Sequence, residues 1–411
     1  MKKNLLLLLI SLFVSIGLTE IGIRIFFADA LPVKDHRDDM FWVADRDVGW
    51  TKRPDSSGFF SNGLYNGYVV NDRYGNRRNS DTGTYMEGYE NIFFIGDSTT
   101  VSLEVNNRET VPAVLERHLR SQGKNVNVLN FGVRGYGTDQ SVRKALAFSK
   151  QYAPVEIIYM YCDNDMIDNN TVKRSYRKFG KGVYIKKSAR TGFQPFNYPV
   201  PEYKYNYAAM VVFDDQGVPF IHEALLPEKD PVFREKEDRL KLAAKRHFYL
   251  LRAVGFLQDS FKCWRAGPLS ASLPRDTDPY RLIQSGAAWR EDFSLAFLDG
   301  ADIRLKYRDY FLEQMTFLLS KLRTIRSVKK VHVVWFPSVN EIQLLKENKS
   351  ANSVLFQDLF KAGVVDSFVN LNRRLMEQKV DIHDLRAKGD HHFSYRGNRW
   401  IAAQITDRIK F

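Results

Sequence analysis

The strongest indication of the fold is a predicted strand that ends in a Gly-Asp-Ser turn. Further predicted strands follow it and alternate with helices. Residues 91–95 form a short apolar run that ends at Gly96-Asp97-Ser98, and later apolar runs cover residues 126–131 and 155–161. The segments between these runs carry apolar residues at the spacing of a helix face. Strands that alternate with helices are joined by right-handed crossovers into a parallel sheet. The sequence therefore predicts a three-layer α/β/α fold around a central parallel sheet, of the flavodoxin-like kind.

The chain is predicted to have three parts. Residues 1–30 form a hydrophobic N-terminal segment, and residues 31–90, rich in Asp, Gly, Asn and Arg without a lasting helical period, are interpreted as an irregular lead-in. The α/β domain spans residues 91–411 and carries a large insertion at about residues 170–301, where the alternation stops. The composition is that of a folded protein and excludes collagen-like and mostly disordered chains.

The insertion and the C-terminal part contain further predicted elements. Within the insertion we predict a hairpin at residues 211–220 and a basic helix at residues 240–261. After it, the predicted elements are a helix at residues 304–325, a strand at 330–336, a helix at 368–378, a strand at 380–385 and a last helix at 395–409.

The first thirty residues predict export. Lys2 and Lys3 precede an apolar run at residues 5–18, the pattern that the export machinery recognises. Extended to Phe27, this segment is long enough to cross about 30 Å of hydrocarbon, which predicts a membrane anchor. The two lysines favour an N-in orientation, with the rest of the chain outside the cytoplasm. The alternative is a secreted protein released by cleavage at Ala28-Asp29-Ala30.

Charge and cysteine content narrow the possible partners. The chain has 61 Lys and Arg against 48 Asp and Glu, a net charge of +13, which favours anionic partners. Outside the cytoplasm these partners are envelope polymers or lipid head groups instead of nucleic acid, unless the charge only confers solubility. Two cysteines, Cys162 and Cys263, exclude a disulfide framework and a multi-cysteine zinc site, and leave one bridge open.

Four loops that follow predicted strands hold complementary chemical groups. Ser98 lies in the turn after the first strand, and Gly135 lies in a glycine-rich loop that can bring a backbone N–H close to a substrate. Asn164 follows the third strand and can donate from its amide, and the alternative interpretation is a strand-ending Asx turn. His392 precedes the last helix with Asp390 beside it, as in a base whose tautomer is fixed by a carboxylate. Because the carboxyl ends of parallel strands meet at one edge, we expect a single site there.

In this order, the four blocks resemble those of the SGNH hydrolases, also called GDSL esterases and lipases. The resemblance implies that Ser98 is the nucleophile and that the Ser98 amide, Gly135 and Asn164 form the oxyanion hole. It also implies that His392 is the general base and Asp390 its acidic partner. The N-terminal segment, the run NDRYGNR at residues 71–77 and the Gly-Asp-Ser turn together resemble membrane-anchored bacterial members of the family.

Two positions depart from the family pattern. Cys162 stands two residues before the asparagine, where the family usually has glycine, and Asp390 stands two residues before His392 where three is usual. His392 is preferred to its neighbour His391 because the residues that follow it stand at the family's offsets. Asp384 is the alternative acid.

The histidines and aspartates near the C-terminus also allow a metal-site interpretation. The sequence lacks the short helical histidine spacing of known metal motifs in this region, so we expect no metal and no cofactor. The residues in question are His383, Asp384, Asp390, His391 and His392.

Three function hypotheses follow from these residues. The first is a serine ester hydrolase outside the cytoplasm that removes acyl groups from an acylated carbohydrate of the cell envelope, or from a small ester, through an acyl-serine intermediate. The second is an O-acyltransferase, in which a sugar hydroxyl takes the acyl group from the same serine. The third is a non-catalytic glycan-binding module, because fold does not determine function. The resemblance places the protein in the inner membrane, with the catalytic domain in the periplasm.

Overall fold

The computed structural model describes most of the α/β domain and parts of the remaining chain. The predicted helix at residues 240–261 lies almost entirely outside the described residues. The described residues are 2–27, 42–61, 65–80, 85–170, 180–185, 192–196, 198–200, 212–213, 219–220, 248, 250, 254, 308–388 and 390–411.

Within the described residues, strands alternate with helices at 90–168 and again at 308–408, with short strands between these two stretches. The elements are α1 (Lys2–Phe27), β1 (Trp42–Asp45), β2 (Gly49–Lys52), β3 (Ser57–Ser61), β4 (Asn66–Val70), β5 (Glu90–Gly96), α2 (Ser98–Val101), α3 (Val111–Ser121), β6 (Val126–Asn130), α4 (Thr138–Tyr152), β7 (Glu156–Tyr161), α5 (Asp165–Asp168), β8 (Val183–Ile185), β9 (Gln194–Phe196), β10 (Val212–Phe213), β11 (Pro219–Phe220), α6 (Arg308–Arg323), β12 (Lys330–Trp335), α7 (Val339–Lys346), α8 (Ala351–Lys361), β13 (Ser367–Asn370), α9 (Leu371–Gln378) and α10 (Tyr395–Arg408). Two 3-10 helices, Asn107–Glu109 and Ile382–Leu385, join them.

Five parallel strands form the central sheet, in the order β13-β12-β7-β5-β6. The central strand, β7, is buried along its whole length, as expected for a parallel sheet that is covered on both faces. This arrangement confirms the predicted α/β fold with a parallel central sheet flanked by helices.

Side chains that alternate along β5 separate the two halves of the core. Ile92 and Phe94 point to the face covered by α3, α9 and α10, whereas Phe93 and Ile95 point to the face covered by α4, α6 and α8. The two helical layers complete the three-layer architecture.

The lead-in is more regular than its sequence indicates. Strands β1 and β2 form one antiparallel hairpin, and β3 and β4 form a second. Trp50, Phe60 and Val69 from these hairpins form a third apolar cluster with Leu103 and Val133 of the loops that follow the sheet strands. The strands have only four or five residues each, too few for a sequence period to stand out.

Two C-terminal predictions are wrong in detail. The strand expected at residues 380–385 is instead the 3-10 helix Ile382–Leu385, which Asp381 caps by accepting from the backbone N–H of His383 at 2.9 Å. The helix expected at residues 368–378 begins with strand β13, and only α9 is helical.

Other predicted elements are present close to their expected positions. The hairpin expected at residues 211–220 is present as the pair β10 and β11, and the helix and strand expected at residues 304–325 and 330–336 are α6 and β12.

Within the part of the chain that the structure describes, no helix has both the length and the apolar character that a membrane span requires.

Candidate active site

The nucleophile turn of the predicted site lies where β5 ends. Gly96 has a φ of +150°, and a Cβ there would stand 2.3 Å from the hydroxyl oxygen of Thr100, so the bend requires glycine. Asp97 caps the next helix, because its Oδ1 accepts hydrogen bonds from the backbone N–H and the hydroxyl of Thr99, both at 2.8 Å. Ser98 is therefore the first residue of α2. Its side chain is partly exposed, and its hydroxyl donates to Asp97 Oδ2 at 3.2 Å.

The glycine-rich second loop packs directly against the short helix that begins at Ser98. The amide of Asn130 donates to the carbonyl of Thr100 at 3.1 Å, and its oxygen accepts from the backbone N–H of Gly132 at 3.0 Å. A Cβ on Gly132 would stand 2.5 Å from the backbone nitrogen of Val101. Gly135, the predicted oxyanion-hole residue of this loop, has a φ of +78°, the left-handed conformation that glycine adopts at no steric cost.

The third loop brings Asn164 to the nucleophile turn. The Asn164 amide donates to Asp168 Oδ2 at 2.7 Å and to Asp97 Oδ2 at 3.4 Å. The hydroxyl of Ser98 donates to the same oxygen of Asp97. Ser98 and Asn164, which come from loops far apart in the sequence, thus both donate to Asp97 Oδ2.

Cys162, which replaces the usual glycine in this loop, carries a free thiol. Burial raises the pKa of the Cys162 thiol well above its usual value, and the nearby charge of Asp97 adds to the increase. The thiol therefore stays protonated and is a poor nucleophile. Cys263, its possible bridge partner, lies outside the described residues.

His392 and Asp390 form a short, buried hydrogen-bonded pair. Asp390 Oδ1 lies 2.7 Å from Nδ1 of His392 and also accepts from the His392 backbone N–H at 3.0 Å. The hydroxyl of Tyr65, from the lead-in, donates to Asp390 Oδ2 at 2.8 Å. Although burial opposes it, the hydrogen bonds and the charge of His392 hold the pKa of Asp390 far below its usual range. Asp384, the alternative acid, is exposed on the second 3-10 helix.

A second carboxylate, Glu104, approaches the same imidazole nitrogen. Glu104 Oε1 lies 3.1 Å from Nδ1 of His392, and each of the two side chains is 2% exposed. Burial alone would lower the pKa of His392, but the charges of Glu104 and Asp390 outweigh it and raise that pKa. The imidazole is thus held by carboxylates on one nitrogen.

The other nitrogen of His392, Nε2, is buried and has no hydrogen-bond partner among the described residues. The bond from Ser98 to His392 that the predicted triad requires is therefore not formed, since the Ser98 hydroxyl donates to Asp97 instead. Glu104, which follows shortly after Ser98 in the chain, lies 3.1 Å from Nδ1 of His392, so the last loop packs against the segment that follows the nucleophile turn. Hydrogen bonds between base and nucleophile are often long in a free enzyme and tighten in the substrate complex.

Residues 92–255 match the family model described as GDSL-like Lipase/Acylhydrolase. The chain contains a domain of this family. The matched residues include Ser98, Gly135 and Asn164, whereas Asp390 and His392 lie beyond them.

Part of the chain is also similar to a solved structure. One similar chain is the psychrotrophic esterase EstA from Pseudoalteromonas sp., in a crystal structure inhibited by monoethylphosphonate. The two chains are 17% identical over 17% of this chain and 38% of that esterase, with a TM-score of 0.16. The chain thus spans less than half of the esterase's length. No curated protein matches the chain.

The C-terminal cluster also has the composition of a metal site. Asp390, His391 and His392 each place one possible ligand atom within 4.8 Å of the others. However, Asp390 Oδ1 and His392 Nδ1 already bond to each other, and the side chain of His391 is 72% exposed. We therefore interpret these residues as an acid and base pair beside a surface histidine.

The sequence did not point to Tyr65 or Glu104. Tyr65 lies in the segment interpreted as irregular, and Glu104 lies in a loop without a motif, flanked by the apolar residues Leu103 and Val105. The only sign of Glu104 in the sequence is an acidic residue that stands between two apolar residues shortly after Ser98.

Proposed function

We propose that the protein is a serine ester hydrolase whose acyl-enzyme forms on Ser98. The observation that carries the proposal is the orientation of His392, whose Nδ1 is held by Asp390 while its buried Nε2 has no partner in the described part of the chain. An imidazole that donates from Nδ1 is an acceptor at Nε2, the state a general base requires. The GDSL-like domain and the glycine-shaped turn at Ser98 support this proposal.

In the proposed reaction, the Ser98 hydroxyl leaves Asp97 and transfers its proton to Nε2 of His392 as Oγ attacks the ester carbonyl carbon. The leaving alcohol takes that proton as the carbon–oxygen bond breaks. Water, deprotonated by the same nitrogen, then attacks the acyl-serine; as the carbon–Oγ bond breaks, His392 returns the proton to Ser98 Oγ and the acid is released. General base catalysis of this kind contributes about 10²- to 10⁴-fold.

The negative charge that develops on the carbonyl oxygen needs nearby donors. By the family resemblance, these are the backbone N–H groups of Ser98 and Gly135 and the side-chain amide of Asn164. In the free protein the Asn164 amide is bonded to carboxylates, so it must exchange those partners for the substrate oxygen. A single donor of this kind contributes about 10²- to 10³-fold to turnover.

The test uses the full-length protein, p-nitrophenyl acetate and a serine-reactive phosphonate. We expect Ser98→Ala to abolish both turnover and phosphonate labelling, whereas Ser121→Ala, on the exposed surface of α3, keeps both. Mass spectrometry of the labelled protein should place the adduct on the peptide that contains Ser98. Equal turnover and labelling in wild type and Ser98→Ala would refute the proposal.

We further propose that the substrate is an acylated carbohydrate of the cell envelope and that the catalytic domain lies outside the cytoplasm. The lysine-led apolar segment at residues 2–27 and the net charge of +13 support this. We expect protease added to spheroplasts to degrade the protein while cytoplasmic proteins survive. If the protein resists protease in intact spheroplasts and becomes sensitive only after lysis, this location is refuted.

The substrate is tested by incubating purified envelope glycan with wild type or Ser98→Ala and measuring the released acetate. Acyl groups that move to another sugar, found by mass spectrometry without release, would indicate a transferase.

A further inference from the structure

Two carboxylates lie close to one imidazole nitrogen at the candidate site. One belongs to Asp390, the acid that the family resemblance implies, and the other belongs to Glu104. Asp390 Oδ1 lies 2.7 Å from Nδ1 of His392, and Glu104 Oε1 lies 3.1 Å from the same atom. Both distances are within hydrogen-bond range. The Nδ1 hydrogen bond is made with Asp390 Oδ1, and Glu104 Oε1 forms an ion pair with the ring when the ring is protonated.

The position of Glu104 is fixed by the second lead-in hairpin and by the segment that follows it. The guanidinium of Arg77 donates to the backbone carbonyls of Val101 and Val105, each at 2.6 Å, on either side of Glu104. Gly67 of β4 packs so closely that a Cβ there would stand 2.1 Å from the carbonyl oxygen of Leu103. The backbone on both sides of Glu104 is thus held by contacts that leave little freedom.

The second oxygen of Glu104 has no other role in the described part of the chain. Glu104 Oε2 is buried and lacks a hydrogen-bond donor among the described residues. Burying a carboxylate is costly unless a cation or donors compensate for the lost water. Here the imidazole of His392 is the group that compensates, so the pair is stable when the ring donates or carries a proton.

We propose that Glu104 is a second positioning residue for His392, acting with Asp390 to orient the ring and to stabilise its protonated form during acyl transfer. This inference rests on the proposed serine hydrolase function. Because two carboxylates hold the same nitrogen, each maintains part of the orientation when the other is neutralised. The charged and titratable groups around His392 are Glu104, Asp390, Tyr65, Arg134 and His391.

The first test does not require catalysis. Histidine-labelled full-length protein is titrated by NMR, and the His392 signal is assigned by its loss in His392→Gln. We expect Glu104→Gln to lower the titration midpoint of His392 by about one pH unit, the usual effect of removing one close opposite charge. Glu116→Gln is the matched control, because Glu116 is also buried but bonds to Asn79 and the backbone of Val128.

The second test measures turnover of p-nitrophenyl acetate across pH. We expect Glu104→Gln to lower kcat about tenfold with little change in KM, and to move the acid limb of kcat/KM to lower pH by the same shift as the titration. Asp390→Asn should behave similarly, whereas the double variant should lose more than the product of the two single losses. Glu104→Asp keeps the charge and should restore part of the acid-limb position.

The outcomes separate this inference from the proposed function. A His392 midpoint that is the same in Glu104→Gln and wild type, with both folded by circular dichroism, would overturn the role of Glu104. If wild type shows no turnover that depends on Ser98, the hydrolase proposal fails, and a shifted midpoint would still support the Glu104 contact. If Glu104→Gln does not fold, the same titration is carried out on Glu104→Met, an apolar side chain of similar volume that also removes the charge, and an unchanged midpoint there would overturn the inference.

Discussion

Replacing Arg77 with lysine should destabilise the protein by several kilocalories per mole. The Arg77 side chain is 2% exposed. Its guanidinium donates to the carbonyls of Val101 and Val105, both at 2.6 Å, to the carbonyl of Ser102, and to Asn107 Oδ1 at 3.1 Å. These acceptors lie on one continuous loop, so a single planar side chain holds the backbone that carries Glu104.

The magnitude follows from the number of acceptors lost. A lysine ammonium is a point donor and cannot span acceptors that a guanidinium fork reaches in several directions. If two of these bonds are lost, at about 1.5 to 3 kcal/mol for each bond to a charged group, the cost is about 3 to 6 kcal/mol. Native domains have stabilities of only about 5 to 15 kcal/mol, so this loss is readily measured.

The assay is urea unfolding of the full chain, followed by tryptophan fluorescence and circular dichroism. Arg73→Lys, in the same run of residues, is the control: its side chain is exposed, with the guanidinium 4.7 Å from the centre of the Tyr74 ring. We expect it to change the free energy of unfolding by no more than about 0.5 kcal/mol. A loss in Arg77→Lys as small as in this control would refute the view that Arg77 holds the loop.

Four further predictions concern the site itself. Asn164→Ala should lower kcat about 10²- to 10³-fold while phosphonate labelling continues, and unchanged kcat would exclude Asn164 from the oxyanion hole. Tyr65→Phe should lower the free energy of unfolding by about 1 kcal/mol by removing the donor to Asp390 Oδ2, and chemical denaturation checks this. Gly96→Ala should cost at least about 2 kcal/mol, because its Cβ would clash at a positive φ; a variant as stable as wild type would contradict this. The acid limb of kcat/KM should lie above pH ~6.5, since a raised pKa keeps His392 protonated, and so inactive as a base, to higher pH than usual.

The elements that sequence reasoning found are those with strong local signals. Strands β5 and β7 contain runs of consecutive apolar residues, and β6 and β12 are rich in valine, which is the pattern of strands buried on both faces. The turn at Gly96 and the loop around Gly135 need glycine for local steric reasons, so their residues are visible in sequence. Ser98, Asn164 and His392 follow such features directly.

The elements that were missed depend on long-range contacts. Tyr65 meets Asp390 across 325 positions, and no local pattern encodes that pairing. Glu104 becomes significant only when the last loop brings His392 against it. Strand β13 has four residues and adjoins the periodic residues of α9, so the helical signal extended over it. A short edge strand is stabilised by its neighbour in the sheet more than by its own sequence.

The shortened spacing between acid and base has a physical advantage at this site. With Asp390 two residues before His392, one oxygen of the acid accepts both the backbone N–H and the ring N–H of the base. Backbone hydrogen bonds from Asp390 to Ala387 and from Ala387 to His392 close the same loop, at 3.1 and 2.8 Å. The Asp390 carboxylate is thus oriented by the backbone N–H of His392, and its second oxygen accepts a hydrogen bond from Tyr65. The hydrogen bonds between Asp390 and His392 thus form within a loop of six residues, and this loop alone can hold the imidazole in one tautomer. The lead-in hairpin and Glu104 add contacts from outside the loop.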